Sequence, residues 1–156
     1  MTEPEALMRT VTAAFEKGDL QPLFASIHDK IVWKAASQHT DLFRFGGTYA
    51  DRAGIKDVTS RIASAYTFHR FAPKEIISSG DTVWGLFDME AEFRPTGKPT
   101  ASPKHIKLEF ALRWRVQNGK IVEHQAFFDT ASLLAQQGNL SVTSDELTSI
   151  GQQLPE

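Results

Sequence analysis

The chain has 156 residues, of which 41% are hydrophobic and 23% are charged, the balance of an ordinary globular domain. Its net charge of -2 provides no general attraction to nucleic acid or anionic membranes, and no apolar run is long enough to cross a bilayer. The lack of cysteine excludes disulfides and thiolate chemistry, and the opening MTEPEALMRT lacks the features of a signal peptide, so we expect a cytoplasmic protein.

The first third of the chain is predicted to be mainly helical. Thr2 and Glu5 have the spacing of a capping box, and apolar residues follow at helical intervals. Asp19 can cap a second, short helix, LQPLFASI. A strand candidate at residues 31–36 and the long loop SQHTDLFRFGG come next, and Asp51 can cap a third helix.

From residue 71 onward the pattern becomes that of strands. KEIISS and TVWGLFDMEAEF flank a tight turn, and HIKLEFALRWRV and KIVEHQAFF flank the Asn-Gly hairpin signal at 118–119. A last helix is predicted at 130–137. Helices followed by antiparallel strands indicate an α+β fold. We expect a cone-shaped, strongly curved, mostly antiparallel sheet with the N-terminal helices packed over one face.

The domain is expected to span residues 1–138 and to be followed by a tail, residues 139–156. Thr143 and Glu146 again have capping-box spacing. Three apolar residues in the tail share one helical stripe: Leu147, Ile150 and Leu154. The tail is therefore either a short amphipathic helix that covers the sheet or a partner subunit, or a frayed end.

Three stretches, in this order, resemble the nuclear transport factor 2-like superfamily. They are AAFEKGDLQPLFASIHDKIVW, GGTYADRAGI and NGKIVEHQAFFDTASLLAQQG, and the resemblance covers roughly residues 5–138. Within the superfamily the chain resembles the SnoaL-like branch, which includes polyketide cyclases and is related to ketosteroid isomerases. The resemblance implies a cystatin-like α+β roll and a homodimer through the sheet face. It leaves function open, because this fold hosts enzymes, binding proteins and association modules.

The resemblance also implies candidate catalytic residues. In SnoaL-like cyclases the acid/base is an aspartate at the end of the last strand, which corresponds to Asp129, whereas the position of its histidine partner holds Leu112. Related epoxide hydrolases use a second aspartate, which corresponds to Asp88, and an arginine, whose position holds Leu86. The base of ketosteroid isomerases falls near Lys34. These matches leave Asp129 as the candidate acid/base, with Asp88 as a second carboxylate.

Both aspartates have a structural alternative. Asp129 precedes TASLLAQQ and would be a good helix N-cap, or it lies beside Phe127 and Trp114 and faces an apolar cavity. An apolar surround would raise its pKa and suit it to proton transfer near neutrality, and the two roles can coexist. Alternation along its strand places Asp88 outside the core, whereas the resemblance places it in the cavity.

The expected ligand-binding residues are mostly aromatic and lie on predicted strands or on the loop near the cavity mouth. They are Trp33, His39, Tyr49, Trp84, Leu112, Trp114 and Phe127. In a cone-shaped pocket such aromatics would select flat, apolar ligands, although each is equally explained as core or loop. The other histidines, His28, His69, His105 and His124, share no ligand spacing, so no metal site is expected.

Three functional hypotheses follow. The first is an enzyme that uses Asp129 for acid/base chemistry of the isomerase, cyclase or hydrolase type on a small apolar molecule, cyclic or acyclic, without a cofactor. The second is a non-catalytic protein that binds such a molecule, and the third is a dimeric association module. The expected partners are a small apolar molecule and a second copy of the chain, and neither nucleic acid nor membrane. A buried carboxylate facing an open cavity would favour the enzyme, and an apolar cavity would favour binding.

Overall fold

A computed structural model describes residues 1–95 and 102–140, which form four helices and six strands. In chain order these elements are α1 (Glu3–Glu16), α2 (Gln21–Ser26), β1 (Ile27–Lys34), β2 (Thr48–Ala50), α3 (Asp51–Ala65), β3 (Tyr66–Ser79), β4 (Thr82–Phe93), β5 (Lys104–Gln117), β6 (Lys120–Phe127) and α4 (Thr130–Gln137). None of the helices in these two ranges is long and apolar enough to span a membrane.

The first three helices begin at or just after the residues whose side chains were predicted to cap them. The Thr2 hydroxyl accepts a hydrogen bond from the Glu5 backbone N–H at 3.3 Å, which confirms the predicted cap of α1. At α2, the Asp19 carboxylate accepts from the first helical N–H at 3.0 Å. At α3, the Asp51 carboxylate accepts from Gly54 N–H at 2.9 Å. These bonds satisfy donors that a helix start leaves without partners.

The six strands form one sheet in the order β2-β1-β6-β5-β4-β3. Neighbouring strands are antiparallel, except that β1 and β6 run parallel. The sheet is curved and unclosed, and the N-terminal helices pack over its inner face, with α1 against β3 and α3 against β1. The predicted α+β fold is confirmed.

Strand β3 is longer than its sequence pattern indicates. The prediction covered residues 74–79, whereas the strand begins at Tyr66, directly after α3. Two bulges interrupt its pairing with β4, one before Arg70 and one after Pro73. Because each bulge shifts the alternation of faces, the apolar residues of this strand lose the period of two that marks a strand. As an edge strand, β3 tolerates the proline, which has no N–H to donate.

The two faces of the sheet differ in character. On the inner face of β4 and β5, Phe87, Leu112 and Trp114 are buried against the helices. On the outer face, Trp84 and Phe127 are 41% and 40% exposed and stack with ring centroids 5.6 Å apart. The strand alternation therefore separates an inner, helix-covered side from an outer side on which two large aromatic rings remain exposed.

The last helix, α4, closes the cone. Asp129 is its N-cap and accepts a hydrogen bond from Ser132 N–H at 3.0 Å, which confirms the capping role predicted for it. The helix ends at Gly138, whose φ of 79° is the left-handed conformation that a C-cap glycine adopts easily. The predicted tail helix lies outside the described residues.

Candidate functional site

A cavity of about 120 Å³ lies between the inner face of the sheet and the helices. Side chains from all four helices, from β1, β3, β4, β5 and β6, and from the loop after β1 contribute to its wall. The wall is almost entirely apolar, and no aspartate, glutamate, lysine or arginine of the described chain lines it. Such a surface favours uncharged, apolar molecules, because a charge placed there would lose its hydration without a partner.

Aromatic rings supply the flat surfaces of the cavity. Phe110 and Phe128 stack with ring centroids 4.9 Å apart and 24° between their planes. Phe71 packs edge-on against Phe110 with 5.5 Å between ring centroids, and Phe45 contacts Phe128 at 6.0 Å. The rings hold one another in place and leave planar surfaces toward a ligand.

The hydroxyl groups in the wall are already engaged. Thr12 donates to the Met8 carbonyl at 2.7 Å, and Thr59 donates to the Ile55 carbonyl at 2.8 Å, so both bond within their own helices. The Tyr66 hydroxyl donates to the side-chain oxygen of Gln137 in α4. Burial raises the pKa of Tyr66, so this phenol stays protonated. These three hydroxyls already have acceptors for their protons within the protein.

His124 is the one imidazole in the wall formed by the described residues. Its ring stacks on Trp33 with centroids 3.5 Å apart and 9° between the planes, and its Nδ1 accepts a hydrogen bond from Trp114 Nε1–H at 2.9 Å. Burial lowers the pKa of His124 to about 3. The imidazole is therefore neutral near pH 7 and, with Nδ1 as the acceptor, carries its proton on Nε2.

Three of the predicted ligand-binding residues do line the cavity. Trp33 lies on β1, and Leu112 and Trp114 lie two residues apart on β5 and so share its inner face. Together with His124 they form the sheet side of the cavity.

Asp129 and Phe127 lie outside the cavity lining. Asp129 is exposed at the start of α4, and its carboxylate holds the helix N-terminus. Phe127 points to the outer face, whereas the next residue, Phe128, lines the cavity. The reason is alternation along β6: His124 and Ala126 point inward, so the odd-numbered residues after them do not. A role for Asp129 in proton transfer stays a prediction.

Asp88 and Trp84 also lie on the outer face of the sheet. The Asp88 carboxylate lies 3.8 Å from Lys74 and 3.9 Å from Arg70, both at their charged nitrogens. The alternation pattern along β4 placed Asp88 outside the core and is confirmed, whereas the cavity position implied by the resemblance is not what the structure shows. The distance of Trp84 from the cavity follows from the same alternation.

His39 and Tyr49 lie near the loop that follows β1, but neither lines the cavity. His39 is exposed, with its backbone N–H bonded to the Ser37 hydroxyl at 3.1 Å. The Tyr49 hydroxyl donates to the Gly46 carbonyl at 2.5 Å, and Arg61 lies over its ring at 5.7 Å. The geometry gives Tyr49 a role in holding the loop.

Sequence reasoning did not identify His124 because a bulge determines which way it faces. The hairpin pairs Val116 with Ile121, but beyond the bulge Arg115 pairs with Glu123 and Trp114 with His124. An unbroken two-residue hairpin would place His124 opposite residue 113, on the outer face. The available signal was the order Glu-His-Gln-Ala, in which an inward histidine lets both flanking polar residues reach solvent.

The described residues contain no group of three histidine or carboxylate side chains that could hold a metal ion. The cavity itself offers one imidazole and aromatic surfaces. Chemically, this arrangement can exclude water, hold a flat apolar molecule and donate a hydrogen bond.

The comparisons with known proteins agree with this fold. A family model described as a SnoaL-like domain matches residues 8–124. No curated protein matches the chain. Among solved structures, TerC co-crystallised with polyporic acid is 21% identical, with 88% of this chain and 99% of that chain covered and a TM-score of 0.73.

Two further solved structures have the same fold. An NTF2-like protein from Burkholderia thailandensis is 27% identical, with 90% of this chain and 100% of that chain covered and a TM-score of 0.70. A protein from Xanthomonas campestris that is called a polyketide cyclase is 17% identical, with 86% and 96% covered and a TM-score of 0.70.

Proposed function

Because this chain belongs to the SnoaL-like domain family, we propose that it binds a small, uncharged, apolar molecule in the cavity beneath its helices. The observation that carries the proposal is the wall, which contains aromatic and aliphatic side chains and no carboxylate from the described residues. TerC, which has the same fold, was co-crystallised with polyporic acid, which supports a ligand-binding use of the fold.

The volume of the cavity limits the size of the ligand. At about 120 Å³ it is somewhat smaller than the ~150 Å³ engineered cavity of another protein that holds benzene. A single ring with few substituents therefore fits, and a larger molecule requires the wall to move. Burial of such a ligand is favourable because it removes apolar surface from water.

Intrinsic fluorescence tests the binding function. Trp33 and Trp114 line the cavity and Trp84 does not, so the variant Trp84→Phe emits from the two cavity indoles alone. We expect single-ring apolar compounds to change this emission saturably and to raise the Tm. A variant that fills the cavity, Ala126→Leu, should weaken both responses, whereas Leu42→Ala in the exposed loop should leave them unchanged. If a broad set of such compounds changes neither signal, the proposal is wrong.

A second candidate function is acid/base chemistry by Asp129. It is favoured by the position of this residue in the sequence between Phe128 and Leu133, both of which line the cavity. The neighbour called a polyketide cyclase also supports it. Asp129→Asn retains the cap and removes the carboxylate. Loss of turnover in this variant, with ligand binding and stability unchanged, would identify Asp129 as the catalytic group; unchanged turnover would exclude it.

We further propose that two copies of the chain associate through the outer face of the sheet. Trp84, Phe127 and the 55% exposed Ile77 present apolar surface there. Charged residues of both signs flank this apolar surface, such as Arg113 and Glu123, which form an ion pair at 3.0 Å. The same face of a second copy therefore offers charges of opposite sign to each of them. A two-fold axis places one such patch on another, as in most homodimers.

A further inference from the structure

His124 is an unexpected residue for an otherwise apolar wall. It lies on β6 between Glu123 and Gln125, and the bulge that pairs it with Trp114 turns it inward. A buried imidazole is unfavourable unless its polar atoms are bonded. Nδ1 has its partner in the Trp114 indole, whereas the described residues form no hydrogen bond to Nε2. No fully buried side-chain nitrogen or oxygen of these residues lacks a partner, so Nε2 keeps some accessible surface where His124 lines the cavity.

The ring is held in a fixed orientation. Trp33 covers one face of the imidazole at 3.5 Å between centroids, and the Trp114 hydrogen bond of 2.9 Å sets the rotation of the ring. Since Nδ1 accepts, the proton is on Nε2. A donor that is fixed before binding loses little entropy when it meets a ligand, which is the condition for a strong preference between similar ligands.

The charge state of the donor limits the chemistry of its partner. With a pKa lowered to about 3 by burial, His124 is neutral at physiological pH, and no charged side chain of the described residues lines the cavity. A carboxylate ligand would lose its hydration there without meeting a cation. A neutral oxygen is a better match, because a single neutral donor can satisfy it.

We propose that His124 determines which ligands the cavity takes: its Nε2–H donates a hydrogen bond to a carbonyl or ether oxygen on an otherwise apolar, uncharged molecule of about one ring. This inference rests on the binding function proposed above and adds to it the class of ligand. His124 is thus a specificity-determining residue.

Two probes of nearly equal shape isolate the hydrogen bond. Cyclohexanone and methylenecyclohexane have the same six-membered ring. The first carries a carbonyl oxygen at the position where the second carries a methylene group. Titrations followed by amide ¹H–¹⁵N NMR give the Kd of each probe, show where it binds and report whether the protein is folded. We expect the ketone to bind roughly three- to tenfold more tightly than the alkene, the preference that one neutral hydrogen bond provides.

The double variant Trp114→Phe, His124→Phe removes the donor without leaving the Trp114 indole unpaired. We expect the wall to stay apolar and the protein to stay folded, which the NMR spectrum reports. In this variant the two probes should bind with equal Kd. Trp33→Phe is the second arm, because the Trp33 indole N–H is a further donor in the wall besides the hydroxyls that bond within the protein. This variant removes that donor and leaves the His124 bond to Trp114 in place. The ketone preference should survive it.

The outcomes separate this inference from the function on which it rests. If both probes bind equally to the unaltered protein, or if the double variant keeps the ketone preference, the role of His124 is overturned while cavity binding stands. If the preference disappears in Trp33→Phe and persists in the double variant, the indole is the donor and the inference is wrong. If neither probe binds, the inference fails, and the proposed function fails with it when the broad set of single-ring compounds also leaves the fluorescence and the Tm unchanged.

Discussion

The Asp129 side chain is the N-cap of α4. Its carboxylate bonds to Ser132 N–H at 3.0 Å at the start of α4. We expect Asp129→Ala to lower the free energy of unfolding by about 1 kcal/mol, because a helix N–H loses its acceptor. Asp129→Asn should lie within a few tenths of a kcal/mol of the unaltered protein, because asparagine caps equally well.

Urea unfolding at pH 7 measures the free energy of unfolding of both Asp129 variants. An equal loss in alanine and asparagine would contradict the capping role, since it would show that the charge matters rather than the hydrogen bond.

His124 makes stability depend on pH. Its pKa is lowered from 6.5 to about 3 in the folded protein, so below pH 6.5 the unfolded chain binds a proton that the folded chain does not. Stability is therefore full above pH 6.5 and falls as the pH is lowered. For this group alone, the free energy of unfolding should decrease by about 2 kcal/mol between pH 7 and pH 5.

The double variant Trp114→Phe, His124→Phe is the control for this pH dependence. Any loss that persists in it between pH 7 and pH 5 belongs to other groups. The carboxylates of Asp81 and Glu123 contribute little in this window, because their pKa values are lowered from ordinary values that already lie below pH 5. If the variant loses as much stability between pH 7 and pH 5 as the unaltered protein, His124 is not the titrating group.

For single residues, the alternation of side chains along a strand decided which cavity-lining residues could be predicted from the sequence. Leu112 and Trp114 were placed in the cavity correctly because β5 is regular across them. Phe127 was placed there, and His124 was not, because the register of β6 depends on the single unpaired residue of a bulge. No residue type in KIVEHQAFF requires that bulge, so the sequence pattern alone could not locate it.

Whole elements show the same contrast: regular elements were predicted from the sequence, and a bulged strand was predicted only in part. All four helices were identified, because caps and a 3.6-residue period are local signals. Strand β3 was predicted at less than half of its length, since its two bulges break the alternation and Pro73 resembles a strand end. Local pattern therefore predicts an element whose geometry is regular and misses the part that tertiary packing holds in place.

One contact that sequence could not predict ties α1 to β3. The Glu16 carboxylate accepts a hydrogen bond from Phe71 N–H at 2.6 Å, just after the first bulge of the edge strand. We expect Glu16→Ala to reduce the free energy of unfolding by roughly 1–2 kcal/mol, because a partly buried N–H loses its acceptor. Glu16→Gln should cost less, because its amide oxygen can still accept.

Thermal unfolding of both Glu16 variants, with hydrogen exchange at Phe71 N–H, checks the contact. Faster exchange at this amide in Glu16→Ala than in Glu16→Gln is the expected result. If exchange at Phe71 N–H is as slow in both variants as in the unaltered protein, the Glu16 carboxylate does not hold the strand edge.

For the molecule as a whole, the two faces of one sheet have different proposed uses. The inner face and the helices enclose the cavity, and the outer face carries Trp84 and Phe127 with about 40% of their surfaces exposed. Phe127 pairs across the sheet with Ala111, and Ala111 pairs with Leu86. Trp84 lies two residues before Leu86 on β4 and so on the same face, one row away from Phe127. These two stacked apolar rings favour association, because they are buried only when a second copy covers them.

Light scattering on a size-exclusion column should therefore give a mass of twice the 17.4 kDa chain. Phe127→Glu should convert the protein to the single-chain mass, because two carboxylates would be buried in the apolar centre of the interface. The variant should stay folded, since Phe127 is 40% exposed in the single chain. Leu42→Glu changes a 56% exposed leucine on a loop away from the sheet and should leave the dimer mass unchanged. A single-chain mass for the unaltered protein at high concentration, or a persistent dimer in Phe127→Glu, would show that this face is not the interface.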